Sequence, residues 1–143
     1  MKKEFSIIFI CALVLGLVVC VTGCRDKSSS SAEESVVNPI NLLISIDYPG
    51  KANKPDLENF KFKAEEDSSV LEATELYCNI SEIQLLVDTT NNEVQGINGI
   101  NNGELKKNYV WKYKINGKEV SDNPQDYDLK DGDNIIWYYT KNN

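Results

Sequence analysis

The chain has 143 residues, 15 basic against 22 acidic, no histidine, four cysteines and a formal net charge of −7. This length suits one small domain beside any targeting segment. An acidic chain with no basic stripe argues against nucleic acid as a partner. With no histidine there is no Cys/His metal cluster and no imidazole base to activate a nucleophile.

The N-terminus reads as an export signal. Lys2 and Lys3 precede an uncharged run from Phe5 to Val21, interrupted by Gly16, and the run ends in Val21-Thr22-Gly23-Cys24. The run has the length of a signal-peptide h-region and sits at the short limit for a spanning helix. An aliphatic residue, two small residues and a cysteine resemble the lipobox of bacterial lipoproteins. The expectation is therefore cleavage before Cys24, with residues 1–23 as the signal peptide and Cys24 carrying the acyl chains. Two or three chains, palmitate among them, make stable attachment where one would be marginal. That places the mature chain as a membrane anchor-bearing lipoprotein on the extracytoplasmic face of the cell membrane. Cleavage leaves 120 residues with 13 basic and 21 acidic side chains, net −8. Such a charge disfavours docking on anionic lipid, so the acyl chains must anchor it. Cys11 and Cys20 leave with the signal and Cys24 is lipidated. Cys78 alone remains, which excludes a disulfide within the mature chain. Its place in an apolar helical pattern predicts burial.

Residues 24–38 include Ser28–Ser31 and Glu33-Glu34, too polar to bury a core, and are expected to form a flexible tether. The folded domain is expected over 39–143. Leu42, Ile44, Ile46 and Tyr48 alternate with Leu43, Ser45 and Asp47, predicting a first strand. Tyr48-Pro49-Gly50 opens a loop running to Pro55. Phe60, Phe62 and Ala64 alternate with lysines in a second strand. Ser69 and Glu72 form a capping box at the start of a helix that stops near Asn79. Val70, Leu71, Ala73, Leu76 and Tyr77 are expected to carry its apolar side, with Ile80 next to it. Strands follow at Ile83–Val87, after which Asn91-Asn92 turns the chain, then at Val94–Ile100 with a bend at Asn98-Gly99. Another runs over Tyr109–Ile115, closed by Asn116-Gly117, a type I′ hairpin signal. Asp131-Gly132 turns the chain into a last strand with Ile135, Trp137 and Tyr139. The fold class is α+β, one helix packed on a mixed or antiparallel sheet.

No catalytic constellation is present, and the chain does not read as an enzyme. Asp128, Asp131 and Asp133 do not match a calcium-loop spacing and read as loop and turn residues. The aromatic set Tyr109, Trp111, Tyr113, Tyr127, Trp137, Tyr138 and Tyr139 serves chiefly as core in a domain this small. Asn98, Asn101 and Asn102 precede Tyr109, and their amides offer both donors and acceptors.

Four blocks carry a family resemblance: Ser69-Val70-Leu71-Glu72-Ala73, Gly96-Ile97-Asn98-Gly99-Ile100, Trp111-Lys112-Tyr113-Lys114-Ile115-Asn116-Gly117, and Tyr127-Asp128-Leu129-Lys130-Asp131-Gly132-Asp133. In this order they resemble the DUF4430 family, which is similar to the C-terminal β-domain of the cobalamin carriers transcobalamin and intrinsic factor. The resemblance spans roughly Ile40 to Thr140. It implies a small ubiquitin-like (β-grasp-like) domain and a cobalamin or other corrinoid ligand; no cofactor is implied. It further implies that Asn98, Gly99, Asn101, Tyr109, Trp111 and Leu129 face the corrin. Gly99 would allow close backbone approach, Asn101 would bond ring amides, and Trp111 and Leu129 would give apolar contact. The carriers' large helical domain has no counterpart in this sequence, so a helical partner protein or a transporter is the expected complement. The alternative is a structural or adhesive module that binds protein or glycan through the same loops.

Overall fold

The computed structural model describes residues 38–142. The expected signal peptide, Cys24 and all but the last residue of the tether lie outside the described residues. Among the described residues, no helix is long and apolar enough to cross a membrane.

Strand β1 (Ile40–Asp47) is the organising element. It pairs antiparallel with β2 (Leu57–Ala64) and parallel with β8 (Asn134–Lys141). Strand β8 in turn pairs antiparallel with β6 (Tyr109–Ile115), and β6 with the short β7 (Lys118–Glu119). The five-stranded sheet thus runs β2-β1-β8-β6-β7. A second, antiparallel sheet runs β3 (Leu85–Asp88), β4 (Glu93–Ile97) and β5 (Ile100–Asn101). One helix, α1 (Val70–Ile80), completes an α+β domain. The sequence suggested one sheet; the structure has two. No ladder joins β3–β5 to β6; the Asn102 amide, the Trp111 indole on the Ile100 carbonyl and the Gly103 N–H on the Tyr109 carbonyl connect them.

The period of two along β1 delivers Leu42, Ile44 and Ile46 to the core, where they meet Ile135 and Trp137 of β8. Ser45 points the other way and is still buried, because its Oγ accepts the Asn59 N–H at 3.0 Å beside a bulge in the β1·β2 pairing. The helix begins as its sequence dictates. Ser69 Oγ accepts the Glu72 N–H at 3.2 Å, and the Glu72 carboxylate accepts the Ser69 N–H at 2.8 Å. This reciprocal cap satisfies two of the helix's orphan donors. Val70, Leu71, Ala73, Thr74, Tyr77 and Cys78 face inward. Thr74, fully buried, donates to the Val70 carbonyl at 2.7 Å and accepts the Trp137 indole N–H at 2.9 Å, tying helix to sheet.

One expected core position is corrected, and the apolar side of the edge strand is partly open. Leu76 is 36% exposed, since it lies past the edge of the arc that Val70, Leu71, Ala73, Thr74, Tyr77 and Cys78 turn inward. Phe60 is 40% exposed: it sits on the edge strand β2, and its ring covers Tyr77 from outside at 5.1 Å between centroids. The hairpin turn at Asn116-Gly117 has φ of 53° and 78°, the positive pair a type I′ turn requires. Asn116 also accepts the Asn134 N–H at 2.9 Å and donates to Asp133 at 2.7 Å, so the turn is pinned to β8.

Candidate ligand-binding surface

Five of the six residues named from sequence meet at one end of the five-stranded sheet. Asn98 and Gly99 make the β4–β5 turn with φ of 53° and 77°, the pair of positive values that lets β5 fold straight back on β4. Asn98 is half-buried, and its amide donates to the Tyr48 hydroxyl at 3.0 Å. Gly99 is exposed, and a Cβ built there meets nothing within 4 Å, so its backbone is open to close approach from solvent.

Across the turn, Asn101 pairs with Gly96, where a Cβ would run into the Asn101 Oδ1. Gly96 was not singled out from sequence as a positioning residue; a strand-interior glycine opposite an amide was the available signal. The Asn101 carbonyl accepts the Tyr139 hydroxyl at 3.1 Å, and its N–H donates to Glu104 at 2.8 Å.

An aromatic row backs this hairpin. Tyr48 meets Trp111 edge-on at 6.1 Å, Trp111 meets Tyr139 at 5.5 Å, and Tyr139 meets Tyr109 at 5.9 Å. Trp111 is 5% exposed and its polar edge is engaged, the indole N–H donating to the Ile100 carbonyl at 2.8 Å. It supports the hairpin from beneath. Tyr139 and Tyr109 are only partly buried and form the accessible part of the row. Lys106 lies over the Tyr109 ring at 4.4 Å and bonds its hydroxyl at 2.8 Å, a contact that lowers the phenol's pKa.

Asn102 has a structural task. Its Oδ1 accepts the Trp111 N–H at 2.8 Å, and its Nδ2 donates to the Val94 carbonyl at 3.1 Å and to Gln95 at 3.3 Å. Asn102 and Trp111 border a polar groove of about 430 Å³ that continues past Glu93, Ser121 and Asn123. Trp111 is the member of the aromatic row that lines this groove, whereas Asn98, Gly99 and Tyr109 do not line it, so the β4–β5 turn with Tyr109 and Tyr139 beside it forms a separate ledge.

Leu129 does not join this group. It is 1% exposed, and its N–H bonds the Ser68 carbonyl beside the start of α1. Two residues later Asp131 binds Asn41 at the beginning of β1, whereas Tyr48 follows the end of that strand. At the rise of a strand those points are roughly 20 Å apart. Leu129 therefore fills the core at the far end, where a ligand on the ledge cannot reach it.

The acidic loop is likewise committed to the fold. Asp131 accepts the Asn41 N–H at 2.7 Å, which lowers its pKa, and Asp133 accepts from Asn116 and from the Lys130 N–H. Among the described residues, no group of three or more His, Cys, Asp or Glu side chains could hold a metal ion. Cys78 is buried, and desolvation pushes its thiol up to about 12.

The fold has solved counterparts. Haptocorrin in complex with Cbi superposes with a TM-score of 0.60 at 14% identity, over 80% of this chain and 28% of that one. The chain therefore spans well under a third of haptocorrin's length. A protein from Ruminococcus gnavus, described as a candidate metal-binding protein, superposes with a TM-score of 0.50 at 10% identity, over 73% of this chain and 99% of that one. Comparison with curated proteins finds no significant match. The model of one family, described as a domain of unknown function, matches residues 67–141, just over half the chain, and on that match the protein belongs to the DUF4430 family.

Proposed function

We propose that this protein is an extracytoplasmic, lipid-anchored binding module that takes a corrinoid on the Asn98–Asn101 hairpin and passes it to an uptake system. The observation that carries the reading is the ledge itself: an open glycine turn flanked by Asn98 and Asn101, with the half-buried Tyr109 and Tyr139 beside it and Trp111 locked beneath. Amides and a bare backbone match the amide rim of a corrin, and the tyrosine faces match its apolar edge. The likeness to haptocorrin supports this reading at the level of fold. The order β2-β1-β8-β6, with a parallel central pair and a single helix, supports a β-grasp-like description.

The reading is one of binding without catalysis, with the buried Cys78 thiol held in its neutral form. Anchoring follows from acylation of Cys24, with residues 24–38 as the tether and 39–143 as the binding domain. An open ledge covers one face of a large ligand and leaves the other in water. The affinity alone is then expected to be micromolar or weaker, and a helical partner or transporter subunit would tighten it by covering the other face.

Calorimetry of the domain from Asn38 onward with cyanocobalamin and with cobinamide tests this. Heat that disappears on substitution of Tyr109→Ala with Tyr139→Ala supports the ledge. No heat at millimolar corrinoid, with and without candidate partners, would favour the structural or adhesive reading, to which the openness of the ledge is equally suited.

A further inference from the structure

The charges of this domain are segregated. From Ala64 to Leu105 there is no lysine or arginine, while nine carboxylates occur in that stretch. It comprises α1 and the whole three-stranded sheet. Every lysine of the described domain therefore lies outside these elements. Among the described residues, the one ion pair within 4.0 Å joins Lys114 to Glu119, in the other sheet. The carboxylates of α1 and its flanks have no cation from their own elements to answer them.

The same stretch carries three of the domain's four exposed large apolar side chains: Leu76 at 36%, Ile80 at 55% and Leu86 at 48%. Leu76 and Ile80 are four residues apart and so stand one above the other on a single flank of α1. Tyr77 lies between them in sequence, and its ring is covered by Phe60, the fourth exposed apolar residue. Leu76 and Ile80 thus make an exposed apolar seam on the helix flank beside the Phe60-covered Tyr77, with Glu72, Glu75 and Glu82 on the same helix and its C-terminal turn.

We propose that this seam docks a basic amphipathic helix of a partner protein. Apolar anchors spaced i, i+4 on one helix are the complement of an amphipathic partner's apolar face, packed with axes about 8–10 Å apart. The carboxylates select the partner's charge. Cationic residues flanking its apolar stripe would meet unanswered acids, which raises the association rate and disfavours neutral or acidic competitors. The sign also decides against two other occupants. An anionic lipid surface would be repelled. A second copy of this chain, paired about a two-fold axis, would set Glu72 and Glu75 against themselves. The inference is independent of corrinoid binding, which involves other residues.

The test is surface plasmon resonance on the full chain in phosphatidylcholine nanodiscs, with empty discs as reference. The probe is a synthetic Lys/Leu amphipathic helix of about five turns, and the control is its Glu/Leu counterpart with the same apolar face. The Lys/Leu peptide is expected to bind in the range of about 10 μM, and the Glu/Leu peptide at least about tenfold more weakly. Leu76→Ser with Ile80→Ser, both exposed and outside the core, should weaken binding about tenfold with near-ultraviolet circular dichroism unchanged. Glu75→Lys with Glu82→Lys should do the same, whereas Asp122→Lys with Asp126→Lys, the same change in net charge elsewhere, should cost less than about threefold. Equal binding by wild type and the serine variant would overturn the proposal. So would equal losses from the two charge reversals, which would reduce the effect to net charge. Self-association abolished by the serine substitutions would overturn it too, by assigning the seam to a second copy.

Discussion

Asn102 is the residue whose removal should most clearly reveal how the two sheets are joined. Strands β4 and β6 lie side by side without a ladder between them, and the Asn102 amide spans the gap in both directions. Substitution of Asn102→Ala deletes two contacts to backbone. The Trp111 N–H belongs to a residue that is 5% exposed. Leaving such a donor unpaired costs about 1–3 kcal/mol, and losing the bond to the Val94 carbonyl adds about 0.5–1.5 kcal/mol. The adjoining groove of about 430 Å³ can admit water to one or both groups, which offsets part of that sum. A net loss of about 2 kcal/mol is expected. With a urea slope of about 1–1.5 kcal/mol/M for a domain of this size, the midpoint should fall by about 1.5 M. Trp111 itself supplies the fluorescence readout. Asn102→Asp sharpens the test, because a carboxylate keeps the acceptor for Trp111 but places negative charge against the Val94 carbonyl. Its folded-state pKa should be raised above the unfolded value of about 3.9, so its deficit relative to wild type should shrink as pH falls through that raised value. A midpoint for Asn102→Ala within error of wild type would show that water or other packing joins the sheets and that the amide bridge is incidental.

Leu71, buried on the inward face of α1, should cost about 2–5 kcal/mol when replaced by alanine, a large share of a small domain's stability, measured as a urea midpoint. Cys78 should resist Ellman's reagent in the native protein at pH 8 and react only after denaturation, because burial holds its thiol at about 12. The sign for stability follows: the unfolded thiol ionises near 9 while the folded one stays neutral, so this contribution is present below pH 9 and is lost as pH rises from 9 towards 12. A Cys78→Ser variant that loses stability over the same pH range as wild type would refute that assignment. At the N-terminus, Cys24→Ala should leave the precursor uncut and unlabelled by radioactive fatty acid; equal label in both forms would sink the lipoprotein reading.

Local chemistry was legible in the sequence wherever one residue type is required by one backbone geometry. The Ser69/Glu72 cap, the Asn116-Gly117 turn and the Asn98-Gly99 bend lie where composition put them, because few residues accept helix-start geometry or positive φ. The alternations in β1, β6 and β8 likewise identified Ile44, Ile46, Trp111 and Trp137 as buried, since a period of two assigns a strand's faces without knowledge of its neighbours. The same sequence could not say which strands pair. Hydrogen bonds between β1 and β8 join residues about 90 positions apart, and nothing local encodes that they run parallel or that β3–β5 form a separate sheet. Leu76 reads as core by its spacing and is exposed because it lies past the edge of the helix's inward arc, and Phe60 is exposed because β2 is an edge strand. Leu129 and Asn98 looked like partners in one site and stand at opposite ends of β1. Turns, the helix cap, the alternating faces of β1, β6 and β8 and the segregation of charge all depend on neighbours along the chain and were readable from it. Strand order, and with it the ledge, the exposed seam and the distance between them and Leu129, came only with the tertiary structure, because long-range pairing is decided by which apolar faces can cover one another at once.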